Sequence, residues 1–145
     1  MKSLSKKPFY SSKTIIILFP LLVFLLNIAL VPLFGAKVLD EYRIDKIFHV
    51  VGGVAISVSI AGVLWHLVSR GIIGLQEIMM LRFLVFGFLC FVVISWEIAE
   101  YIFLFPVYPE YVASSSSAYS DTVTDMIWGL VGGLFAMFLI RRPVG

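Results

Sequence analysis

The chain has 145 residues, 61% of them hydrophobic and 14% charged, a mean hydropathy of +1.04 and a net charge of +2. Soluble globular chains carry about 45–50% apolar and about 25% charged residues, so this is one unit built for a membrane; disordered, collagen-like and disulfide-rich secreted classes are excluded. The small, scattered positive charge speaks for no nucleic acid among its partners, and the single cysteine, Cys90, allows neither a disulfide framework nor a CxxC site.

A bilayer core about 30 Å thick needs about 20 apolar residues at 1.5 Å rise. Runs of that kind predict a single all-α domain over residues 1–145, a polytopic bundle of four transmembrane helices at about 14–35, 47–68, 82–105 and 122–140. The unbroken apolar runs lack the alternation of a membrane barrel. The first span follows Lys2, Lys6, Lys7 and Lys13, as a secretory signal would. Its apolar stretch exceeds the usual 7–15 residues, and the stretch Leu33-Phe34-Gly35-Ala36 lacks small residues at both cleavage-defining positions, so it reads as an uncleaved anchor. Asn27 and the prolines Pro20 and Pro32 read as bends or interhelical hydrogen-bonding points within it.

The second span opens with Asp45-Lys46-Ile47-Phe48-His49, which puts Asp45 and His49 on one helical face; His66, beside Trp65 at its other end, reads as interfacial. The third span holds Glu97 and Glu100, three residues apart and well inside the apolar run. The connection 106–120 contains Pro106, Pro109, three tyrosines and the run Ser114 to Ser117, and reads as a polar surface loop with aromatic anchors. The fourth span begins with Asp121 and Asp125, again on one face.

Lys and Arg flanks stay cytoplasmic. One side collects Lys2, Lys6, Lys7, Lys13, Arg70, Arg82, Arg141 and Arg142, the other only Lys37, Arg43 and Lys46, which places the chain as a multi-pass protein of the cell membrane with both termini cytoplasmic. All three acidic pairs then lie in the outer half of the bilayer. A stride of four from each pair gives Asp45, His49, Gly53, Ser57, Ala61 on the second helix and Asp121, Asp125, Gly129, Gly133 on the fourth, so the polar pairs lead into small residues that let backbones approach in lipid.

Asp45 and Asp121 open their helices and each, alone, reads equally well as a cap on free backbone N–H groups. Glu97 and Glu100 have no such role. A carboxylate near the membrane centre costs at least about 2.5–3.5 kcal/mol on insertion scales and persists where it pairs, binds or lines a wet cavity. Five carboxylates and one imidazole, with only Arg43 and Lys46 as nearby cations, leave negative charge unmatched: either protons are shared or a divalent ion such as Mg²⁺, Mn²⁺, Ca²⁺ or Zn²⁺ is held by Asp45, His49, Glu97, Glu100, Asp121 and Asp125.

These pieces, Asp45-Lys46-Ile47-Phe48-His49 with Gly52-Gly53, Trp96-Glu97-Ile98-Ala99-Glu100-Tyr101, and Asp121-Thr122-Val123-Thr124-Asp125 with Gly129, Gly132 and Gly133, resemble the VanZ-like superfamily of small polytopic membrane proteins over the last three helices. VanZ-type proteins typically carry Gln where Glu100 stands and Asn where Asp125 stands, so the likeness leans to the uncharacterised YjdF-type inner-membrane proteins. The resemblance implies that the polar set acts as a unit and names no chemistry.

Two classes of function follow. An enzyme would perform metal-assisted hydrolysis or group transfer on an envelope lipid or lipid-linked small molecule, with Asp45, His49, Asp121 and Asp125 as ligands and Glu97 or Glu100 as the general base; it requires an opening to lipid beside the carboxylates. A non-enzymatic cation- or proton-handling protein, or an envelope ligand-binding one, would use the same groups without covalent chemistry. Ion passage requires a polar path toward the cytoplasm, for which one chain offers mainly Ser57, Ser59 and Cys90, so that a homo-oligomer would have to supply the route.

Overall fold

Small residues at intervals of four decide where the helices meet. In the computed structural model, which describes residues 7–34, 43–74, 77–103 and 115–140, a 3₁₀ turn at Phe9–Ser11 is followed by four helices: α1 (Lys13–Phe34), α2 (Ile44–Ser69), α3 (Ile78–Phe103) and α4 (Ser115–Met137). No strand occurs among the described residues. The connection from 104 to 114, and with it Lys2, Lys6, Lys37, Arg141 and Arg142, lies outside them.

The most extensive helix pair is α2 with α4. At Gly53 a Cβ atom would stand 1.9 Å from the Gly129 carbonyl oxygen, and at Gly132 one would stand 2.0 Å from that of Val50, so only glycine permits this backbone approach. The helices are held by close packing, which replaces the hydrophobic effect as the driving force between helices in lipid. On α3 the buried stripe is Leu81, Val85 and Leu89, and the same stride of four reaches Glu97, so that glutamate points into the bundle. The apolar core, with Val58 and Ala61 of α2, the α3 stripe and Ile140, lies at the opposite end from the carboxylates.

Helix α1 stands apart. It packs on α2 and on the N-terminal turn, makes no backbone approach to α3 or α4 among the described residues, and is largely exposed. The N-terminal turn is fixed by buried Tyr10 and by His66, whose Nε2 lies 2.9 Å from the Ser11 carbonyl oxygen. His66 thus ties the turn to the far end of α2. Large apolar side chains cover the outer faces, with Phe83 71%, Phe91 68% and Phe138 80% exposed, a surface that suits acyl chains as its solvent.

Among the described residues three helices, α1, α2 and α3, are long and apolar enough to cross a membrane. The expected fourth span differs in two ways. Helix α4 starts at Ser115, so that 115–120, read from the sequence as loop, is helical. Its share of Ser120, Asp121, Asp125 and glycines keeps it out of that apolar class, because its polar and small face is turned to α2.

Candidate functional site

The start of α2, the end of α3 and the first half of α4 meet at one end of the bundle. There the structure brings together Asp45, His49, Glu97, Asp121 and Asp125, in two groups that share Asp125.

The outer group is Asp45, Asp121 and Asp125. Lys46 Nζ stands among them, 2.9 Å from Asp45 Oδ2, 2.7 Å from Asp125 Oδ1 and in direct contact with Asp121 Oδ1. Lys46 is buried. Sequence reasoning weighed it only as a neighbouring cation; the available signal was its spacing of three from His49 and seven from Gly53, which puts it on the seam face of α2. Arg43 stays exposed.

The capping readings of the two aspartates do not hold. The residue before α2 is Arg43, in the left-handed region at φ 53° and without a side-chain cap, and Asp45 turns to Lys46 instead. Asp121 lies past the first turn of α4, because that helix already starts at Ser115.

The inner group is His49, Glu97 and Asp125. The imidazole lies between two carboxylates, with Nδ1 3.7 Å from Glu97 Oε1 and Nε2 3.6 Å from Asp125 Oδ1. Both separations exceed hydrogen-bond range. They approach the spacing of about 3.4 Å expected between two ligand atoms that each sit about 2.1 Å from a tetrahedral ion. Glu97 and Asp125 are buried, and Glu97 Oε1 has no hydrogen-bond partner. Asp45 Oδ1 lacks one as well, but that carboxylate is paired with Lys46 through its other oxygen. A buried carboxylate oxygen without a partner is costly in a fold and calls for a ligand or a proton.

Glu100 belongs to neither group; the indole of Trp96, one turn away on α3, is its neighbour. Below the inner group lies a cavity of about 130 Å³, bounded by Val23 and Asn27 of α1, Phe48 and Ile56 of α2, and Val92 and Trp96 of α3, with His49 and Glu97 at its polar end. Phe24 and Trp96 meet edge to face across it, ring centroids 5.5 Å apart.

The family described as "Predicted membrane protein (DUF2238)" matches the chain over residues 4–143, and the chain belongs to that family. No curated protein and no solved structure matches it.

Proposed function

We propose that this integral membrane protein holds one divalent ion at His49, Glu97 and Asp125 and uses it for hydrolysis or group transfer on an envelope lipid or lipid-linked small molecule. The observation that carries the reading is the buried Glu97 Oε1, without a hydrogen-bond partner and facing His49. The donor set of two carboxylates and one imidazole suits Mg²⁺, Mn²⁺, Ca²⁺ or Zn²⁺. Asp45 and Asp121 then serve differently from the ligand role their spacing suggested: with Lys46 they form a charged clamp that fixes Asp125. The termini are assigned to the cytoplasm and the site to the outer half of the bilayer from the distribution of Lys and Arg.

When bound, the ion would polarise a phosphoryl or acyl oxygen. Glu100, on the next turn from Glu97, would accept the proton of the attacking water. The new bond forms from the water oxygen to the phosphorus or carbon, the bond to the leaving oxygen breaks, and Glu100 returns the proton to that oxygen. A transport role is disfavoured by the seam below the site, where Gly53 abuts the Gly129 backbone and buried Ser57 is the polar group at the contact.

The test is metal content of the purified protein beside Glu97→Gln and Asp125→Asn. One ion per chain is expected in the wild type and a large loss in both variants. Equal content near zero in all three would remove the metal and leave a proton-sharing cluster.

A further inference from the structure

The gap between α1 and α3 does more than interrupt the packing. We infer that it is a slot for one hydrocarbon chain of a membrane amphiphile, whose polar head would lie at His49 and Glu97. The inference rests on the preceding reading for the identity of the head site, and on separate observations for the slot.

Helix α1 makes no backbone approach to α3, and the space between them is floored by α2 and lined almost wholly by apolar side chains. Its polar groups are His49 and Glu97, which also belong to the inner group, and Asn27 on α1. One end is therefore suited to a head and the rest to a chain. Size narrows the occupant. An apolar cavity of about 150 Å³ elsewhere takes up one benzene molecule, so the 130 Å³ here accommodates a few carbons of a single chain.

Gly52 offers a way to narrow the space. It lines the cavity, and a Cβ atom added there would meet nothing within 4 Å, in contrast to Gly53 next to it, where the Gly129 backbone forbids one. A large side chain at 52 would therefore extend into the slot without meeting helix backbone.

The experiment places the full chain in nanodiscs of phosphatidylethanolamine and phosphatidylglycerol containing a phospholipid with a diazirine in one acyl chain. After irradiation, labelled positions are mapped by mass spectrometry. Labelling of Val23, Ile56 and Val92 should saturate at a low fraction of the probe, while labelling of the outer α4 face at the exposed Ile127 and Phe135 should rise in proportion to it. Gly52→Leu, and independently Val92→Trp, should reduce the saturable labelling several-fold and leave the outer face unchanged. Slot labelling that never exceeds the outer face in the wild type, or that is indifferent to both substitutions, overturns the inference. Metal content separates the two readings: wild type without metal but with saturable slot labelling removes the ion alone, and wild type with metal but without such labelling removes the slot alone.

Discussion

The outer and inner acidic groups share Asp125 and differ in how their charge is met. In the outer group Lys46 supplies a cation from the chain itself, with its ammonium held by Asp45, Asp121 and Asp125. The inner group has only the imidazole of His49, at distances too long for hydrogen bonds, and one Glu97 oxygen stays without a partner. The same types of side chain, one helical turn apart, thus make an ion-pair cluster around a cation and an open donor set. What separates the two at this end of the bundle is one lysine.

The largest effect should come from removing that lysine. Lys46→Met leaves buried carboxylates facing one another, and is expected to lower the unfolding free energy by roughly 3–5 kcal/mol, read from denaturant titration in detergent. A loss below about 1 kcal/mol would mean that the outer group does not depend on its cation, and the contrast would fail.

Glu97→Gln addresses the open group. It should change stability by no more than about 1 kcal/mol in the same titration run with a chelator, because the oxygen it alters makes no hydrogen bond and the charge it removes is buried. A loss of several kcal/mol would make Glu97 a structural member of the fold, like Lys46.

Asp121→Asn should have the smallest effect. Its side chain is 40% exposed, so water screens its contact with Lys46, and a loss of about 0–1 kcal/mol is expected. A larger loss would show that the clamp needs all three of its carboxylates.

Much of this was legible in the sequence because a helix carries its periodicity openly. The stride of four from Asp45 and His49 to Gly53 and Ser57, and from Asp125 to Gly129 and Gly133, marked the faces that meet, and the glycine contacts lie on those faces. Glu97 continued the stripe of Leu81, Val85 and Leu89. The start of α4 was not legible, since a run of serines reads as loop until its helical turns are seen. Nor was the exclusion of Glu100 from both groups, which depends on how separate helices are placed against one another.

Composition and periodicity by themselves determined that the chain lives in a membrane as helices, and which face of each helix is polar or small, because both properties depend only on residue type and a fixed rise and turn. Which carboxylate faces Lys46, which faces His49, and that a gap remains between α1 and α3 were decided only by tertiary structure. Those outcomes depend on the distances between separate helices, and no spacing along one chain encodes them.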